Sequence, residues 1–128
     1  MKYLLIALRV IVSVILLQTL FFKFTGAEES IYIFSTMGME PWGRYLTGII
    51  ELIAGVMLLL PRYYHIGAVA SLGVISGAVF SHLTVLGIEV MGDGGYLFFL
   101  ALVVMISSLF IIIYEKDKLL KLIGYNED

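Results

Sequence analysis

Two residues of this chain have the chemistry to pass a proton, Glu51 in "EPWGRYLTGIIELIAG" (40–55) and His82 in "GAVFSHLTVLGI" (77–88). A histidine titrates near neutral pH, and a carboxylic acid held away from water keeps its proton to higher pH than a solvated one. Both residues sit in apolar surroundings, where a charge at the bilayer centre costs at least about 2.5–3.5 kcal/mol and must be paired, neutralised or set against a wet cavity. Further polar groups flank them: Gln18, Lys23, Arg44 and Asp93. What these six can do depends on whether the fold brings them together.

Several other chemistries are excluded at once. With no cysteine there is no disulfide, CxxC redox motif, thiolate metal site or covalent haem attachment. No HExxH, Walker A, GxSxG or GxGxxG is present. His65 and His82 would share one helix about 25 Å apart along its axis, too far to ligate one haem iron. One histidine and a few carboxylates are a thin metal set, so none is expected. A formal net charge of −2 gives no basic face for nucleic acid.

The elements that must position the polar residues follow from composition. Of 128 residues, 61% are hydrophobic and 14% charged, whereas a soluble domain is roughly 45–50% apolar and about 25% charged. A chain this short has too little interior to hide that much apolar side chain from water. About 20 apolar residues in a helix cross the hydrocarbon, and four such stretches fill the chain: 3–22, 42–60, 64–88 and 95–114. Pro61 ends the second, and "PRYY" (61–64) makes a tight antiparallel hairpin with the third. The fold class is an all-α, four-helix antiparallel membrane bundle, a single domain over 1–128. Arg9 and the length of the first run argue against a cleaved signal peptide.

Lys2, Arg62, Lys116, Lys118 and Lys121, with Arg9 snorkelling, mark one side of the membrane; the other has Lys23 and Arg44 among five acidic residues. The bias places both termini in the cytoplasm. The first outer loop, "KFTGAEESIYIFSTMGME" (23–40), has Glu28 and Glu29 where a helix N-terminus favours acids, then Ile31, Phe34 and Met37 at helical spacing. It predicts a short interfacial helix, with Trp42 and Tyr45 as headgroup-level anchors.

Depth then groups the polar residues. At 1.5 Å per residue, Glu51 lies about 13 Å below the outer surface, His82 about 9 Å and Gln18 about 6 Å, with Lys23 at the rim. Arg44 and Glu51 share a helix face but stand about 10 Å apart, and Arg44 leans outward, away from Glu51. Glu51 is therefore expected to meet His82, with Gln18 and Lys23 at similar depth, while Arg44 reaches the outer headgroups. Asp93 before Gly94 and Gly95 reads first as a helix N-cap. Gly73, Gly77 and Ser81 repeat every four residues, which favours close helix packing in lipid; a groove floored by small residues is the other reading.

The words "FFKFTG", "EPWGRYLTGIIELIAGVMLLLPR", "GAVFSHLTVLGI" and "DGGYLF", in this order, resemble the DoxX family of small bacterial and archaeal membrane proteins. The resemblance implies a four-helix bundle in a prokaryotic inner membrane. It also implies association with redox partners, one of them a membrane thiosulfate:quinone oxidoreductase. Its recurring polar positions correspond to Lys23, Arg44, Glu51, His82 and Asp93. The expected function is a redox-associated accessory subunit, not an enzyme by itself. It would bind a quinone or another small amphipathic molecule through Gln18, Lys23, Arg44, Glu51, His82 and Asp93. Partners are the lipid bilayer, and a redox partner protein or a second copy in a homo-oligomer. A non-catalytic scaffold is the alternative from another class, and a solute or lipid carrier a third.

Overall fold

The computed structural model describes residues 1–122 and Gly124. Six α-helices follow one another: α1 (Lys2–Thr25), α2 (Glu28–Thr36), α3 (Trp42–Leu59), α4 (Tyr64–Ser81), α5 (Tyr96–Tyr114) and α6 (Lys116–Leu122). A π-helical turn, His82–Leu86, extends α4. Among the described residues, α1, α3, α4 with its π turn, and α5 are long and apolar enough to cross a membrane. The four expected spans are thus present, with α1 running three residues further. The short helix expected in the first loop is α2.

Helix α1 packs on α3 and α5, and α4 closes the ring between α3 and α5. Arg9, the α3–α4 turn and α6 meet at one end; Lys23, α2 and the π turn meet at the other. The burial pattern is that of a protein dissolved in lipid. Ser13, Arg44, Glu51, Ser71, His82, Ser108 and Glu115 are buried, whereas Leu46, Ile49, Ile53, Val56, Phe99, Ile106 and Ile113 are exposed. In water such an outer surface would be a continuous apolar patch. In the bilayer it faces chains as apolar as itself, and the polar groups must find partners inside.

They do so across helices. Ser13 Oγ donates to the Gly55 carbonyl at 2.8 Å, and Ser71 and Ser108 share a hydrogen bond of 2.7 Å between α4 and α5. Between these contacts sits an apolar core that includes Val12, Leu16, Leu58, Ala68, Val104 and Ile111.

The glycines divide into two kinds. A Cβ on Gly67 would stand 2.9 Å from Leu58 N, one on Gly48 2.6 Å from Phe24 Cε1, and one on Gly55 3.0 Å from Leu17 Cδ2. These three let a neighbour approach. Gly73 and Gly77 would meet nothing within 4 Å. The packing expected of the Gly73–Gly77–Ser81 repeat is therefore not made there; the small residues line a cavity instead.

Candidate functional site

At the end of the bundle bearing α2, a cavity of about 1350 Å³ opens between the helices, with walls from α1, α2, α3, α4, the π turn and α5. Gln18, Lys23, Glu51, His82 and Asp93 all contribute to its lining. One to two turns further into the bundle from Thr19 on α1 and His82 at the end of α4, its lining side chains Ile15, Val74 and Ile75 are apolar. One side of the cavity follows Gly73 and Gly77, which explains why a missing side chain on α4 leaves open space.

Glu51, 4% exposed, is met by α1. Lys23 Nζ lies 3.0 Å from Oε1 and 3.3 Å from Oε2, and Thr19 Oγ1 donates to Oε2 at 2.9 Å. The geometry has a simple cause. Side chains on a helix tilt toward its N-terminus. Because α1 and α3 are antiparallel, Lys23 leans down into the bundle and Glu51 leans up toward it. Thr19, one turn below Lys23, completes the contact. The expected meeting of Glu51 with His82 is corrected: among the described residues no hydrogen bond joins them, and Gln18 lines the cavity without bonding Glu51.

His82, 5% exposed, bonds locally through Nδ1, which stands 2.9 Å from the Gly87 carbonyl oxygen. Its ring packs against Phe98 at 5.5 Å between centroids. The π turn wraps the chain back so that residue 87 reaches residue 82, a local partner that helical depth alone does not reveal.

Arg44 does not extend to the headgroups by itself. Its Nε bonds both oxygens of Glu40 at 2.9 and 3.0 Å, Nη2 lies 2.8 Å from Glu40 Oε1, and Nη1 donates to the Lys23 carbonyl. The guanidinium also stacks 4.5 Å from the Tyr45 ring centroid. It satisfies one of the carbonyls that the end of α1 leaves free, and so holds Lys23 in register with α3.

Asp93 does accept a first-turn N–H of α5, but from two residues before the N-cap position, which Gly95 occupies. Oδ1 accepts from Val90 N at 3.0 Å and Gly95 N at 2.8 Å, and Oδ2 from Leu97 N at 3.2 Å. Burial pushes its carboxyl pKa up, but the backbone N–H bonds outweigh it and hold the pKa below the usual carboxylate value.

A second polar cluster lies at the opposite end of the bundle. Arg9 Nε donates to the Leu58 carbonyl at 2.8 Å and stacks 4.3 Å from the Tyr64 ring centroid. The Tyr64 hydroxyl donates to Glu115 Oε1, and Lys118 Nζ is 3.5 Å from Glu115 Oε2. Its members border separate segments of sequence, and only the hairpin and α6 bring them together. Among the described residues no group of three or more His, Cys, Asp or Glu side chains could hold a metal ion.

A family model described as DoxX matches residues 4–84, from α1 into the π turn. The matched region includes Gln18, Lys23, Arg44, Glu51 and His82, and leaves Asp93 outside. Neither the curated proteins nor the solved structures give a match.

Proposed function

The chain belongs to the DoxX family and is a multi-pass membrane protein; from that premise we propose that its cavity binds a small amphipathic ligand, polar head toward the α2 end and apolar tail toward the middle of the bundle. One observation carries this reading: the same cavity is lined by Thr19, Lys23, Glu51 and His82 and, one to two turns further into the bundle from Thr19 on α1 and His82 at the end of α4, by the apolar Ile15, Val74 and Ile75. Ligand sites of this kind are mostly apolar, with a few placed polar groups that fix orientation.

A quinone or its quinol suits that lining, and the couple supplies two-electron redox chemistry when bound. This chain's residues would hold the head near Lys23 and His82 and keep water from the tail. The protein then serves as a redox-associated accessory subunit for a partner oxidoreductase. The excess of Lys and Arg at the end bearing α6 supports a cytoplasmic location for that end in a prokaryotic inner membrane, with the cavity mouth outside. Because the chain has no cysteine, single cysteines at Lys118 and Glu28 are clean reporters of orientation. An impermeant thiol reagent on intact cells should label the second and not the first.

The decisive experiment is mass spectrometry on gently extracted protein, comparing wild type with Glu51→Gln and His82→Ala. A defined amphipathic molecule in the wild type, depleted in both variants, supports the reading. Bulk lipid alone in all three would shift the assignment to a scaffold. That second reading draws on the mutual satisfaction of Lys23, Thr19 and Glu51, which a purely structural clasp also requires. It predicts that partner pull-down depends on residues 28–39.

A further inference from the structure

The π turn His82–Leu86 ends on Gly87, whose φ of 81° lies in the left-handed region. Gly87 adopts it without a Cβ penalty, and its carbonyl oxygen reaches His82 Nδ1. A carbonyl oxygen has no proton to give, so Nδ1 carries the N–H and donates. In the neutral imidazole the other nitrogen, Nε2, is then a lone pair that can only accept. Among the described residues Nε2 has no hydrogen-bond partner, and only His65 Nδ1 is both sealed from solvent and unpartnered. Nε2 is therefore open, on a side chain that is 5% exposed and lines the cavity. π-helical turns of this kind recur at functional sites.

Several of the neighbouring polar groups of the cavity are already engaged, while Gln18 on α1 has no hydrogen-bond partner among the described residues. Lys23 and Thr19 donate to Glu51, Ser81 donates to the Gly77 carbonyl, and Asp93 accepts three backbone N–H groups. We propose that Nε2 of His82 is the acceptor for a ligand hydroxyl, so that the cavity selects hydroxyl-bearing amphiphiles, such as a quinol or a long-chain phenol, over the matching quinone or ether. This rests on the reading of the cavity as an amphipathic-ligand site. A quinone carbonyl or an ether oxygen also only accepts, and against Nε2 it would set lone pair against lone pair. A hydroxyl donates. Sites built around a buried polar group discriminate strongly against analogues that leave it unpaired.

The test uses the full chain in detergent micelles and three probes with the same decyl tail: a benzoquinol, its dimethyl ether and the benzoquinone. Calorimetric titration of the wild type should give at least tenfold tighter binding of the quinol, about 1.4 kcal/mol, and His82→Ala should lose that preference while retaining weak binding of all three. The chain has two histidines, so ¹⁵N-histidine labelling supplies a readout that needs no variant: the unprotonated His82 Nε2 resonance should shift on adding quinol and not on adding ether. Equal affinities for quinol and ether in the wild type, or an unmoved Nε2 resonance, overturn the inference and leave the amphipathic-site reading standing. Failure of the wild type to bind any of the three overturns both.

Discussion

Lys23 Nζ lies 3.0 Å from Glu51 Oε1, with the two side chains 15% and 5% exposed. The pair joins the end of α1 to the middle of α3 along the cavity wall. Removing one partner of a buried pair costs more than removing both, because it strands a charge. Lys23→Met should therefore destabilise the protein by about 3 kcal/mol. The double variant Lys23→Met/Glu51→Leu should return most of that loss. Denaturant unfolding in micelles, followed by circular dichroism, measures both. Equal stabilities for the single and double variants would show that the glutamate left without its lysine carries no stranded-charge cost.

The two kinds of glycine on α4 give a paired prediction. Gly67→Ala puts a Cβ 2.9 Å from Leu58 N and 3.0 Å from the Ala54 oxygen. Backbone cannot move aside cheaply, so overpacking should cost about 1–3 kcal/mol in the same unfolding assay. Gly77→Ala meets nothing within 4 Å and removes a flexible glycine from a helix interior, worth about 0.5–1 kcal/mol in its favour. Gly77→Leu should leave stability near that of wild type while reducing any co-purifying ligand, since its side chain enters the cavity.

How far the sequence reached follows from these cases. Apolar runs of membrane-spanning length, Pro61, and the acidic start of α2 are local signals, and the helices formed where those signals lie. The common depth of Lys23, Glu51 and His82 was legible too, since rise per residue is fixed. Which of them touch was not, because depth says nothing about rotation or local turns. His82 found Gly87 through a π turn that adds a residue to the helical repeat, and Arg44 found Glu40 one turn earlier. The opposing lean of Lys23 and Glu51 could have been found from the antiparallel hairpin rule and side-chain tilt. The Arg9–Tyr64–Glu115 cluster could not, as it depends on where α6 folds back.

That cluster makes its own prediction. Tyr64 donates to Glu115 beneath the stacked Arg9 and beside Lys118, whose Nζ is 5.4 Å from the ring centroid. Tyr64→Phe keeps the ring and both cation–π contacts but leaves Glu115 with Lys118 alone. Losing one partner of a buried polar group costs about 1–3 kcal/mol. The loss should appear first at α6, as faster amide hydrogen exchange across Lys116–Leu122, with α1 and α3 little changed. Uniform acceleration across all helices would instead mean that the hydroxyl supports the whole bundle.

Asp93 yields the pH dependence. Its folded pKa lies below the usual value because backbone N–H bonds from Val90, Gly95 and Leu97 favour the carboxylate and outweigh burial. A lowered folded pKa stabilises the protein at pH values above the unfolded pKa of about 3.9. That contribution fades as pH falls through the folded value. At neutral pH, Asp93→Ala should lose the side-chain bonds at the start of α5 and cost about 1 kcal/mol. Asp93→Asn should cost less, keeping one acceptor oxygen. As pH drops below about 3.9, the gap between wild type and Asp93→Ala should shrink, because protonation removes from the wild type what the alanine already lacks. Melting temperatures of the three proteins across this range decide it: a gap that stays constant with pH would mean that the carboxylate charge plays no part in holding α5.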